Sequence, residues 1–276
     1  MTDALRRLLR TRHGVLGLLI LAPVALAVAL GPLLAPHDPD AISFTARLSP
    51  PSLRFWLGTD EFGRDLLSRV LVGARESVGT ALAATILGTL SGAVLGTVSA
   101  YFGGRADEVI MRTIDAVMAL PALLLALLVL STLGKGAAEA TLAIAVAFAP
   151  GMARITRSVA LAARRQDYVS AALARGEGVV WIVFREIGPN VVAPVVVEST
   201  IRVAFAVMLV ASLSFLGLGA QPPAPEWGLM VAEGRQYLHQ APWMIVGPGA
   251  AIALTAIGFN LLGDGLRDAL NPRIGR

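Results

Sequence analysis

The chain has 276 residues, 55% of them hydrophobic and only 15% charged, with a formal net charge of +4. Soluble domains carry about 25% charged residues, so this composition suits a chain whose solvent is mostly lipid. Its lack of cysteine excludes disulfides, thiolate chemistry and cysteine-ligated metals, and arginines that flank apolar runs without interleaved aromatics exclude a nucleic-acid-binding face.

Six apolar runs can be counted, near 14–34, 77–100, 113–133, 140–160, 191–218 and 244–263. Each approaches the roughly 20 residues that carry a helix across a hydrocarbon core of about 30 Å. The first follows a cytoplasmic 1–13 that holds Arg6, Arg7, Arg10 and Arg12. That order also opens a secretory signal, but the run is longer than a signal core and lacks a convincing cleavage site. An uncleaved anchor over 14–34 is therefore expected.

The next piece, 35–76, is expected outside. Its first part, APHDPDAISFTARLSPPSL, is rich in proline and polar residues and reads as loop. Beyond it Phe62, Leu66, Leu67, Val70 and Leu71 share one helical face, with Arg64, Asp65, Ser68 and Arg69 largely elsewhere. This pattern fits an amphipathic helix on the outer membrane surface, or a short helix packed on the end of a bundle; the residues leave both open. Residues 77–264 hold the other five spans. In them Pro121, Gly217 and Gly219 are hinge or close-packing candidates.

Orientation follows from basic residues. With the N-terminus inside, the cytoplasmic side collects 15 arginines and the outer side 7 basic residues. N-in and C-in are expected, with 265–276 a cytoplasmic tail.

Catalytic machinery is absent from the sequence. His13, His37 and His239 are far apart, and there is no HExxH pair or GxSxG elbow. The nearest approach to a phosphate-binding loop, Leu133-Gly134-Lys135-Gly136, lacks the following hydroxyl residue. Asp115 and Asp264 fall at expected helix ends, which disfavours an intramembrane protease. We expect no enzyme activity, no metal and no cofactor.

The cytoplasmic piece 161–190 holds a polar, arginine-bearing interval, 168–190, between long apolar runs. Asp167 is placed to cap a short helix through Arg175, with Ala171 and Ala172 leaving room for another surface. Gly176 and Gly178 break that helix. Val179, Val180, Ile182, Val183 and Phe184 form a second, apolar one, and Pro189 suits the first turn of the next span. Such a helix-turn-helix is either a docking surface for a soluble partner or a loop tethered to lipid headgroups by Arg164, Arg165, Arg175 and Arg185.

This interval resembles the cytoplasmic loop of binding-protein-dependent ABC importer permeases. The family pattern runs Glu-Ala-Ala, three residues, Gly, then about ten residues to Ile-x-Pro. Ala171, Ala172, Gly176, Ile187 and Pro189 match it, and Asn190 extends the match. Ser170 stands where the family has glutamate, and Gly188 where leucine is common; Asp167 or Glu177 would have to supply the lost carboxylate. Further blocks resemble the peptide/nickel branch: LGTDEFGRDLLSRVLVGAR (57–75), the 101–127 segment, SFLGLGAQPPAPEWGLMVAEGR (214–235) and the 241–273 segment ending Asn271-Pro272-Arg273.

The resemblance implies an all-α, type I importer permease in a bacterial inner membrane, the shorter of two paired subunits. It implies four kinds of neighbour: a second permease, two cytoplasmic ATPases, one of them gripped by the 161–190 loop of this chain, an extracytoplasmic binding protein, and lipid; the 35–76 segment is a candidate landing site for the binding protein. Di- and oligopeptides are the expected cargo, with nickel or glutathione-like solutes as alternatives. A secondary carrier or channel is the rival class, but inverted repeats are not evident. Glu198 and Arg202 lie i, i+4 on the fifth span, with Arg202 about 18 Å beyond Asn190. Charges at that depth face a bundle interior or a wet cavity. They line the solute pathway or clamp the partner permease.

Overall fold

The computed structural model describes residues 6–270, so the Asn271-Pro272-Arg273 end of the last matching block lies outside the described residues. Among the described residues the structure is helical, with no named strand. Helix α1 is Arg12–Leu34, started by Thr11, whose side chain accepts from the Gly14 N–H. Helix α2 is Leu66–Phe102 and is capped by Asp65, which accepts from the Ser68 N–H. Helices α3 (Gly104–Met118), α4 (Ala122–Leu133) and α5 (Ala137–Arg164) follow. Then come α6 (Asp167–Ala174), α7 (Val179–Trp181), a π-helical turn Ile182–Ile187, and α8 (Gly188–Phe215). Helices α9 (Trp227–Gly234) and α10 (Trp243–Leu270) close the described chain.

Five stretches are long and apolar enough to cross a membrane: α1, α2, α5, Val179–Phe215 and α10. The sixth expected span, 113–133, is not one straight helix. Helices α3 and α4 meet at 93°, and the 12 residues of α4 reach only about 18 Å. Pro121 explains the break. It has no N–H to continue the ladder, and its ring pushes Leu120 out of helical geometry. Helix α3 instead crosses α5, tied to it by Asp107–Arg157 and Asp115–Arg154 ion pairs.

The segment before α2 also departs from expectation. Residues 66–76 form no separate surface helix; they are the first turns of the 37-residue α2. Their charges turn inward. Arg64, Asp65 and Arg69 are buried, together with Asp60, while Phe62 is exposed. Partners make this possible, since a buried charge is tolerated only when paired and hydrogen-bonded. Arg64 Nε donates to Asp60 Oδ2 at 2.5 Å, and Arg69 donates to the carbonyls of Pro39 and Pro223, each at 3.3 Å. The expected stripe does not hold as one face: Phe62 is exposed and precedes the helix, while Ser68 and Arg69 are buried more deeply than Leu67, Val70 and Leu71, because distant carbonyls satisfy the charge that periodicity placed outward.

Helices α2 and α5 pack along most of their lengths, and three glycines allow it. Gly88, Gly92 and Gly96 recur every four residues on one face of α2, and a Cβ there would meet the carbonyl oxygens of Ala145, Ala149 and Ala153 at 2.8, 2.4 and 2.2 Å. Small residues at this spacing are how helices approach closely in lipid, where apolar burial drives little association.

Contacts sort the bundle into two ends. At one end Arg164 Nη1 donates to the Ala100 carbonyl at 3.0 Å, and His13 faces Asp268 at 3.6 Å, so α2, α5, α1 and α10 all meet there with α6. At the other end lie residues 35–65, the Gly134–Gly136 turn and α9; Gly136 N–H donates to the Leu218 carbonyl at 3.3 Å, and the Trp243 indole N–H to the Thr59 carbonyl at 3.2 Å.

Candidate functional site

Helix α6 is short because its sequence stops it. Gly176 takes φ +77°, a left-handed conformation that costs other residues about 1–2 kcal/mol. Two bonds close the end: Gly176 N–H to the Leu173 carbonyl at 3.0 Å and Glu177 N–H to the Ala172 carbonyl at 3.2 Å. This is a Schellman ending. Gly178 plays no such part, since its φ is −72°. Nor does Asp167 cap the helix; the N-cap is Gln166, with no side-chain bond, and Asp167 sits in the first turn.

The helix divides cleanly into two faces. Val169 and Ala172 are buried, packed with Ala100 of α2, Ala160 and Ala163 of α5, and Ile182, Ile187 and Val191. Ser170, Ala171, Leu173 and Arg175 are exposed, and Glu177 is half-buried. So Ala171 and Ala172 do different things: Ala172 lets α6 lie flat against the bundle, and Ala171 leaves the outer face low. Ile187 belongs to the buried side and Pro189 to the exposed side.

The expected second helix, Val179 to Phe184, is not a separate element. It enters α8 through the π-helical turn, in which Gly188 N–H reaches the Val183 carbonyl. Pro189 has no N–H to return to Arg185, and the backbone widens there. Cross-ties hold the return: Asn190 Nδ2 donates to the Tyr168 hydroxyl and the Glu186 carbonyl, both at 2.9 Å, and Arg175 faces Glu177 and Glu186, both at 3.6 Å. Val180, Trp181 and Phe184 are left exposed. The polar ties were not read from the sequence, because Tyr168 and Asn190 are 22 residues apart.

Glu198 and Arg202 form the ion pair their spacing allows, at 3.2 Å, with side chains 24% and 18% exposed. The guanidinium lies 5.6 Å from the Phe148 ring centroid. It also fills the space left by Gly151, where a Cβ would stand 2.7 Å from Arg202 Nη2. Its seat is therefore α5 of the same chain. Near this pair, but on another face of α8, an apolar groove of about 610 Å³ runs between α2 and α8, lined by residues such as Thr85, Thr89, Leu90, Val196 and Ser199.

Among the described residues no cluster of three or more His, Cys, Asp or Glu side chains could hold a metal.

Residues 92–276 match the family described as the binding-protein-dependent transport system inner membrane component. The chain belongs to that family. Residues 1–51 match the N-terminal membrane domain of oligopeptide transport permease C. A probable D,D-dipeptide transport system permease of Escherichia coli K12 is 44% identical over 93% of this chain and 86% of its own length. A dipeptide transport system permease of Haemophilus influenzae is 41% identical over 96% and 92%. A glutathione transport system permease of Pectobacterium atrosepticum is 41% identical over 98% and 90%. Among solved structures, the MetNI methionine ABC transporter in an inward-facing form shares the fold, with a TM-score of 0.57 at 18% identity over 74% of this chain and 97% of that one. The chain is thus a multi-pass inner-membrane permease of the ABC importer class.

Proposed function

We propose that this permease forms half of a solute pathway for di- and oligopeptides and that α6 is its grip on a cytoplasmic ATPase. The carrying observation is the two-faced α6: Val169 and Ala172 weld it to α2 and α5, while Ser170, Ala171 and Leu173 stand outward. Motion imposed on the outer face is then passed to the two helices that pack most tightly. In this reading Ser170, Ala171, Gly176 and Glu177 meet the ATPase, whereas Ala172 and Ile187 fix the loop to the bundle and Pro189 sets its return into α8. The end bearing α6 is cytoplasmic, in keeping with the excess of arginine there, and 35–76 lies outside with the binding protein. Nucleotide and loaded binding protein each shift a two-state bundle through differential affinity.

A homologous second permease completes the pathway. Glu198 and Arg202 supply a neutralised pair of charges at mid-span, with about a fifth of each side chain open to solute termini. Peptide cargo is the first choice because the two dipeptide-transport relatives cover nearly the whole chain; a glutathione-like solute is the second, favoured by the Pectobacterium relative.

The test is Ala171→Arg, a change on the exposed face that leaves the buried face intact. Loss of ATPase co-purification, with the variant still extracted as a folded chain, is expected. Undiminished ATPase binding refutes the assignment. Uptake of labelled dipeptides and glutathione by the reconstituted assembly separates the two cargo readings.

A further inference from the structure

The segment between α1 and α2 presents large apolar side chains that the bundle leaves uncovered. Leu53 is 99% exposed, Phe44 76% and Trp56 68%. They are not on a slack loop. The segment doubles back as a narrow hairpin, with Ser43 N–H on the Phe62 carbonyl (3.1 Å), Leu48 N–H on the Asp60 carbonyl (3.0 Å) and Thr59 N–H on the Ser49 carbonyl (3.0 Å). Its tip is fixed too: Phe55 N–H donates to Ser52 Oγ at 3.1 Å, and the Trp56 indole N–H to the Leu53 carbonyl at 3.2 Å.

The depth of that tip can be read from its contacts. Phe55 lies 5.2 Å, centroid to centroid, from His37, which follows the last residue of α1, Leu34, by three positions. The returning arm, at the pair next to the tip, is tied to the start of α10 by the Trp243 bond to Thr59. Both α1 and α10 are membrane-length helices. The tip is therefore level with the point where two spans leave the hydrocarbon. Around it, Arg47 and Arg54 are exposed, and the Arg54 guanidinium lies 5.1 Å from the Phe55 centroid. Aromatic and aliphatic side chains interleaved with arginine, at this level, have the chemistry of a membrane–water boundary.

We propose that the hairpin tip Leu53–Trp56, with Phe44, is seated in the lipid boundary at the end of the bundle opposite α6. Leu53 and Trp56 enter the headgroup and upper acyl region, and Arg47 and Arg54 meet lipid phosphates. The contact fixes the height of the segment that feeds α2, because Asp60, on the returning arm of the hairpin, is bonded to Arg64 just before that helix. It rests on α1 and α10 being spans, and not on the identity of the cargo.

The absence of cysteine from this chain makes the test clean. Leu53→Cys and, separately, Trp56→Cys are spin-labelled in the full transporter, assembled with cysteine-free partner subunits. The assembly is reconstituted in phosphatidylethanolamine–phosphatidylglycerol vesicles. Lys135→Cys, on an exposed turn at the same end, is the comparison. The expected result is loss of collisions with a water-soluble nickel chelate, and gain of collisions with oxygen, at positions 53 and 56 relative to 135. Equal chelate access at all three positions overturns the proposal. So does shielding of position 53 that appears only when binding protein is added, which would assign the surface to that protein. A membrane-impermeant thiol reagent at Lys135→Cys in sealed vesicles reports separately which side this end faces, so a wrong topology and a missing lipid contact give different results.

Discussion

Replacing Gly92 by alanine tests whether close approach of α2 and α5 holds the bundle together. A Cβ at Gly92 would stand 2.4 Å from the Ala149 carbonyl oxygen and 2.6 Å from Met152 Cβ, whereas ordinary contact begins near 3.4 Å. The helices must part by the difference, about 1.0 Å, because the obstacle is backbone that no rotamer change can clear. Overpacking of this kind costs about 1–3 kcal/mol. Gly79, on the same helix, is the internal control, for its Cβ would meet nothing within 4 Å. Alanine at either site gains about 0.8–1.0 kcal/mol of helix propensity, so propensity cancels in the comparison. Gly92→Ala is expected to lie about 1–3 kcal/mol below Gly79→Ala. The assay is equilibrium unfolding in mild detergent with rising sodium dodecyl sulfate, followed by tryptophan fluorescence. Equal stability of the two variants, or a more stable Gly92→Ala, refutes the steric reasoning.

At the candidate coupling site, Gly176→Ala forces a side chain into φ +77° and is expected to destabilise the end of α6 by about 1–2 kcal/mol. Titration of ATPase binding reads this as about a fivefold or greater loss, and full affinity would show that the Schellman end is dispensable. For the mid-span pair, Glu198→Gln leaves Arg202 without its counter-ion and is expected to cost about 3–5 kcal/mol. The double variant Glu198→Gln/Arg202→Gln should recover part of that; a double-mutant cycle in detergent unfolding with purely additive losses contradicts the coupling. Glu233, on α9, gives the pH dependence. Burial first, then the charge of Glu61, raises its carboxyl above the ordinary range, with Arg69 and Arg64 opposing. An acid raised in the folded state contributes stability fully present below its unfolded value of about 4.3, which is lost as pH rises through the raised one. Glu233→Gln escapes that loss, so its advantage in melting temperature should grow as pH rises above about 4.3. An advantage that shrinks over that range would mean Arg64 and Arg69 dominate.

The sequence by itself determined the solvent and the helical class. Fifteen per cent charged residues and six apolar runs leave little choice but a helical membrane protein, because backbone groups in lipid must be satisfied within each helix. It also determined where α6 ends, since Gly176 carries its conformational preference with it. Tertiary structure decided the rest. Ala171 and Ala172 are the same residue type, and only the position of α2 and α5 makes one exposed and the other buried. Arg64 and Arg69 looked like a solvated face until Asp60 and the carbonyls of Pro39 and Pro223, the last 154 residues away from Arg69, proved to be within reach. The stripe of Gly88, Gly92 and Gly96 was not singled out from the sequence, because the meaning of its spacing depends on which helix fills it. Local signals fix local conformation because their energies are local; which surfaces are covered is set by partners far away along the chain, and no window of sequence contains them.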